Sequence, residues 1–129
     1  MKHSIFFSCI LSFLLVIHPV FAEKAYSPTV PITVKIDFGP ADRPSIEKKI
    51  RIQDQSTPKE ALKSFISVEE GFVCCHDGEI KGIGGVGVDP IKNRWWLLKI
   101  NGSAKNANPQ KTKLKAGDLM EWVYSQEVQ

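Results

Sequence analysis

Two stretches early in the chain alternate between apolar and polar residues with the period of a β-strand. Residues 32–38 carry an apolar side chain at every second position, which places those side chains on one face of a sheet. Residues 46–52 repeat the pattern, with Lys48 as the polar exception on the apolar parity. Gly-Pro and Arg-Pro pairs at 39–40 and 43–44 enforce a loop between the stretches. The sequence therefore predicts a β-hairpin.

A helix start follows the hairpin. Thr57 stands at an N-cap position, Pro58 at the first helical position and Glu60 at the third, a combination that stabilises a helix N-terminus. The next apolar residues recur at helical spacing: Ala61, Leu62, Phe65 and Ile66. We predict a short helix that ends near Val68 and covers the sheet with this apolar stripe.

Three later segments have strand character. Residues 80–88 are β-branched but rich in glycine, residues 95–100 are mostly apolar, and residues 119–124 close the domain. Asn101-Gly102 is a hairpin-type turn signal directly after the second segment. Two strands, a helix and further strands indicate an α+β domain. The simplest arrangement is a β-grasp (ubiquitin-like) mixed sheet with one helix packed on one face.

Adjacent tryptophans in the middle segment are predicted to face opposite sides of the sheet. Trp96 begins an uninterrupted apolar face that we assign to the core, and Trp122 lies in a second such face. Trp95 and Leu97 lie on the opposite face beside Lys99, which makes them candidates for an exposed apolar patch. Trp95 is therefore the aromatic side chain that we predict to contact a ligand.

The last two predicted strands carry a resemblance to a known family. The segment Trp-Leu-Leu-Lys-Ile-Asn-Gly at 96–102, followed by Leu-Lys-Ala-Gly-Asp-Leu-Met-Glu-Trp-Val-Tyr at 114–124, resembles the signature of the transcobalamin-like C-terminal domain family. The opening strand and the Ser56-Thr57 helix start agree with it, so the resemblance covers residues 30–125.

This resemblance implies a β-grasp fold related to the domain that covers the corrin ring in vitamin B12 carriers. We predict an exported, non-catalytic binding module, with a corrinoid such as cobalamin or another small amphipathic ligand as the first candidate. No cofactor is expected beyond such a ligand. The alternative is a protein-interaction or surface-adhesion domain that pairs a free sheet edge with a partner.

The first 22 residues have the pattern of a secretory signal peptide. Lys2 and His3 precede an almost wholly apolar run at 5–17, and Val20 and Ala22 stand three and one before the predicted cut. The run is shorter than the roughly 20 residues of a membrane span. We expect a secreted or periplasmic protein with residues 23–31 as a mobile leader, a domain over residues 32–125, and no stable membrane span after cleavage.

The most reactive side chains are adjacent, at Cys74, Cys75, His76 and Asp77. A strained adjacent disulfide, two free thiols and a metal site are all open, and on a strand only Cys74 and His76 would converge. A nucleophile and base would need a third group, and the other histidines lie in the signal peptide. We predict neither an enzyme nor a metal site, and place Cys74, Cys75 and His76 with Trp95 as ligand-binding residues.

Composition and charge exclude other functions. Hydrophobic residues make up 43% and charged residues 24% of the chain, as in a globular domain, and the net charge of +3 is too small for a nucleic-acid footprint. We expect no nucleic-acid partner. Residues 82–87 match G-x-G-x-x-G formally, but Pro90 prevents the helix that a dinucleotide site needs. These glycines instead predict a strand with a bulge or a close backbone approach.

Overall fold

A computed structural model of the protein describes residues 26–73 and 76–126, without the side chains of His76 and Asp77. The predicted signal peptide lies outside the described residues. A 3-10 turn, Gly39–Ala41, follows the first strand. The other elements are β1 (Thr29–Asp37), β2 (Ile46–Gln53), α1 (Pro58–Lys63), β3 (Val68–Val73), β4 (His76–Ile83), β5 (Val86–Gly87), β6 (Arg94–Ile100) and β7 (Leu119–Gln126).

The strands form two sheets, a four-stranded sheet in the order β2-β1-β7-β6 and a three-stranded sheet in the order β3-β4-β5. β1 pairs antiparallel with β2, as the predicted hairpin requires, and parallel with β7. The four-stranded sheet is therefore mixed, and the predicted α+β class is confirmed. Within the described part of the chain, no helix is long and apolar enough to span a membrane.

Several element boundaries differ from the sequence prediction. β1 begins at Thr29, so residues 29–31, which we expected in the leader, pair with β2. α1 ends at Lys63 rather than near Val68, although Phe65 and Ile66 still pack against the core. Residues 80–88 are part of a hairpin rather than one strand, because the chain turns at 84–85 with positive φ at both glycines.

The core lies between one face of the four-stranded sheet and the layer formed by α1 and the three-stranded sheet. Trp122 is 1% exposed, which confirms its predicted place in the core. Trp96 was predicted to be buried, but it is only partly buried and packs against the core from its margin. Other core side chains from both layers are Ile32, Val34, Ile36, Leu98 and Met120, and Ala61, Leu62, Ile80 and Ile83.

The opposite face of the four-stranded sheet is the one we call the open face. Every residue on it is at least partly exposed, because α1 and the three-stranded sheet contribute their buried side chains to the other side. Alternation along the strands places the following residues on the open face: Glu47, Lys49 and Arg51 on β2, Thr33, Lys35 and Asp37 on β1, Leu119, Glu121, Val123 and Ser125 on β7, and Trp95, Leu97 and Lys99 on β6.

Candidate functional site

Three apolar side chains adjoin at one end of the open face, and we call them the Trp95 patch: Trp95, Leu97 and Val123. Leu97 is 41% exposed and lies directly opposite Val123 in the β6–β7 register, while Trp95 is partly exposed and lies opposite Ser125. The structure thus places Trp95 and Leu97 on the face opposite Trp96, as the alternation in the sequence predicts.

Trp95 is held by the turn that precedes β6. Its indole N–H donates to Asn93 Oδ1 at 2.7 Å. The turn is closed by two backbone hydrogen bonds between Asp89 and Arg94, of 2.8 and 2.9 Å. Because the hydrogen bond to Asn93 holds the Trp95 ring before any ligand arrives, Trp95 would lose less side-chain entropy when a ligand binds.

A depression of about 340 Å³ adjoins the patch at Val123. Lys35, Glu47 and Glu121 contribute to its walls, and Lys35 lies opposite both carboxylates in the strand register. The Lys35 Nζ to Glu47 Oε2 distance is 3.8 Å, and both side chains are largely exposed, so the pair adds little stability. The open face therefore combines an apolar patch with a neighbouring row of alternating charges.

This arrangement offers both apolar and polar contacts to a ligand. The Trp95 ring offers a stacking surface to a ligand. The charged groups at the depression can donate hydrogen bonds to polar groups at the rim of the ligand or accept hydrogen bonds from them. Among residues 26–73 and 76–126, no group of three or more His, Cys, Asp and Glu side chains converges on a position that could hold a metal ion.

In the described part of the chain, the three titratable groups with shifted pKa values lie off the open face. Burial raises the pKa of Tyr124, whose hydroxyl donates to the Gly87 carbonyl at 2.8 Å and so ties β7 to β5. The hydrogen bond from the Thr57 backbone N–H lowers the pKa of Glu60, and the hydrogen bond from Lys59 lowers that of Glu70. These groups support the frame rather than the candidate site.

A second, smaller cavity of about 170 Å³ lies on the other side of β6, and we call it the indole cleft. Its lining residues are Glu79, Ile80, Trp96, Asn108, Pro109, Gln110 and Trp122. The Trp96 indole N–H donates to the Val86 carbonyl at 2.9 Å, whereas the buried Trp122 N–H has no partner within the described part of the chain. Sequence reasoning assigned both rings to the core and missed the cleft. The one available signal was that a buried indole N–H needs an acceptor.

The other predicted site residues are placed only in part. Cys74 and Cys75 lie outside the described residues, and His76 is described by its backbone alone, which pairs with Val73 at the start of β4. The disulfide, free-thiol and metal alternatives therefore stay predictions. Proximity of this segment to Trp95 also stays a prediction.

Two proteins of known structure resemble this fold. Haptocorrin in complex with Cbi superposes with a TM-score of 0.61 at 13% identity, over 79% of this chain and 26% of the haptocorrin chain. A candidate metal-binding protein from Ruminococcus gnavus ATCC 29149 gives a TM-score of 0.55 at 20% identity, over 77% of this chain and 99% of that one. At such identities the likeness shows the fold alone. No family model matches the sequence, and no curated protein matches it.

Proposed function

We propose that this domain is an exported, non-catalytic binding module whose open face takes a small amphipathic ligand that contains a ring, with a corrinoid as the first candidate. The observation that carries the proposal is the Trp95 patch next to a charged depression of about 340 Å³. A corrinoid has the same division, since its flat macrocycle is largely apolar and its rim carries polar amide groups. In this arrangement the macrocycle contacts the patch and the amides meet Lys35, Glu47 and Glu121.

Two further observations support the choice of ligand class. The fold is similar to part of haptocorrin, which was solved with Cbi, and the sequence resembles the domain that covers the corrin ring in B12 carriers. The parallel pairing of β1 with β7, with one helix on the core side, supports the β-grasp assignment that belongs to this proposal.

Binding at such a site should be weak. The depression is at the small end of the roughly 300–1,000 Å³ range of ligand pockets, so a corrinoid would remain largely exposed to water. Aromatic stacking on Trp95 contributes roughly 0.5–1.5 kcal/mol beyond the area it buries. The cost of association offsets most of what a shallow face supplies. Contacts from Cys74, Cys75 and His76 remain a separate part of the proposal, because β3 and β4, which flank this segment in the chain, belong to the layer on the core side of the four-stranded sheet.

Calorimetric titration of cobinamide and cobalamin into the purified protein tests the proposal. Trp95→Ala should weaken binding about tenfold, which corresponds to roughly 1.4 kcal/mol. Tyr26→Ala is the matched control, because Tyr26 is an aromatic residue 88% exposed and lies before β1, outside the Trp95 patch. Absence of heat with both ligands rejects a corrinoid. If Trp95→Ala binds the ligand as tightly as the wild type and Trp96→Phe does not bind it, the ligand site is the indole cleft rather than the open face.

A further inference from the structure

β2 is an exposed edge strand of the four-stranded sheet. The Asp54 N–H donates to the Pro28 carbonyl of the neighbouring chain segment at 2.9 Å, and backbone groups alternate in direction along a strand. The N–H and C=O groups of Glu47, Lys49 and Arg51 therefore point away from β1. Within residues 26–73 and 76–126 these outward backbone groups have no backbone partner.

A groove of about 410 Å³ runs beside the second half of this edge, between β2 and α1. Its lining residues are Thr29, Arg51, Ile52, Gln53, Ser56, Glu60, Ala61 and Ser64. An extended segment laid along β2 would direct alternate side chains into this groove and the others onto the open face. The edge thus offers both main-chain hydrogen bonds and a place for side chains.

The excess of positive charge on β2 favours a partner segment with acidic side chains. Lys48, Lys49 and Arg51 are exposed, and Glu47 is the one acidic residue of the strand. Acidic side chains opposite Lys49 and Arg51 would form favourable cross-strand pairs. A second copy of the chain is a poorer partner, because its β2 carries the same excess of positive charge, although self-pairing centred on Lys48 or Lys49 also brings Glu47 opposite a basic residue.

We propose that β2 is a docking edge for an extended acidic segment of a partner protein, which adds a fifth strand to the four-stranded sheet. The segment pairs with the outward backbone groups of Glu47, Lys49 and Arg51 and places its acidic side chains on the open face. This surface is separate from the Trp95 patch, which lies towards β6 at the other edge of the sheet. The two surfaces meet at Glu47, whose side chain borders the charged depression, but Lys49 does not line the depression, so variants at Lys49 test the docking edge without altering the proposed ring-ligand site.

Titration with a capped six-residue peptide that alternates Val and Glu, followed by amide NMR spectra, tests the edge. Lys49→Pro removes the outward N–H without removing a hydrogen bond to β1, whereas Lys49→Gln removes the charge and keeps the N–H. We expect the Gln variant to bind the peptide more weakly than the wild type, and the Pro variant to bind about tenfold more weakly again. A peptide with Lys in place of Glu should not bind.

Three other results would contradict the proposal that β2 is a docking edge for an acidic segment. Equal binding by the Gln and Pro variants shows attraction between charges without strand addition, and no binding to the wild type removes the site. Sedimentation of the free protein as a dimer that Lys49→Pro dissociates makes a second copy the occupant. Should the Pro variant not fold, a peptide N-methylated at alternate residues removes the same hydrogen bonds from the partner's side and must lose binding.

Discussion

Trp122 is the largest of the fully buried side chains in the described part of the chain. Replacing it with Ala removes an indole from the centre of the core, and we expect Trp122→Ala to lower the free energy of unfolding by about 3–5 kcal/mol. Trp122→Phe should cost clearly less, because the indole N–H that it removes has no partner among the described residues. Urea unfolding of the three proteins measures both effects. An Ala variant as stable as the wild type would show that the ring is not a core anchor.

Replacing Gly39 or Gly102 with Ala should destabilise the fold for different reasons: backbone strain at both positions, and a steric overlap at Gly39 only. Both have positive φ, +48° and +81°, but a Cβ at Gly39 would overlap the Tyr124 carbonyl oxygen, whereas a Cβ at Gly102 has no neighbour within 4 Å. Gly102→Ala should therefore cost roughly 1–2 kcal/mol for the left-handed backbone alone. Gly39→Ala should cost more, since the contact between the 3-10 turn and β7 must also shift. Thermal unfolding of both variants tests this order, and equal losses would contradict it.

At the scale of elements, the sequence predicted those segments whose signal is local. β1, β2 and β7 alternate strictly enough to identify them, and the capping box at Thr57 marks the start of α1. β3 was not predicted, because its burial does not follow a period of two and its pairing with β4 contains two register shifts. The end of α1 was placed too late because Phe65 and Ile66 pack on the core at helical spacing beyond the helix.

The capping box makes the stability of α1 depend on pH. The Thr57 backbone N–H donates to Glu60 Oε2 at 2.8 Å, and this bond lowers the pKa of Glu60 from its usual 4.5. Because the pKa of Glu60 is lower in the folded state than in the unfolded state, ionised Glu60 stabilises the fold at pH values above its unfolded-state pKa. This contribution is lost as the pH falls through the pKa that Glu60 has in the folded state.

Glu60→Gln keeps the hydrogen-bonding shape but does not titrate. The wild type should therefore gain stability relative to Glu60→Gln between about pH 3 and about pH 7. Urea midpoints of both proteins at the two pH values measure the gain. A difference between them that does not change with pH would show that the charge of Glu60 contributes nothing to the cap.

At the scale of the whole molecule, the sequence located only part of the candidate site. Residue parity alone predicts that Trp95 and Leu97 share a face opposite Trp96. The charged depression could not be predicted, because it depends on the register that brings Lys35 between Glu47 and Glu121. Lys35 and Glu47 lie in one hairpin, but Glu121 comes from β7, which is distant in the chain, and no local pattern encodes the register of β7 against β1.

Export is a prediction about the whole chain. The basic start, the apolar run and the small residues before Glu23 predict removal of residues 1–22. The intact mass of the protein recovered from the medium or the periplasm should correspond to a chain that begins at Glu23. Recovery of the complete chain in the membrane fraction would instead identify the apolar run as an anchor.

The open face is the surface that we propose to bind an amphipathic ligand that contains a ring. Amide and indole NMR signals recorded during a cobinamide titration test this proposal, because the Trp95 indole reports on the open face and the Trp96 and Trp122 indoles report on the indole cleft. We expect the largest changes at the Trp95 indole and at the amides of Leu97 and Val123, with the Trp96 and Trp122 indoles unchanged. Changes confined to the Trp96 and Trp122 indoles, or no changes at saturating cobinamide, would contradict it.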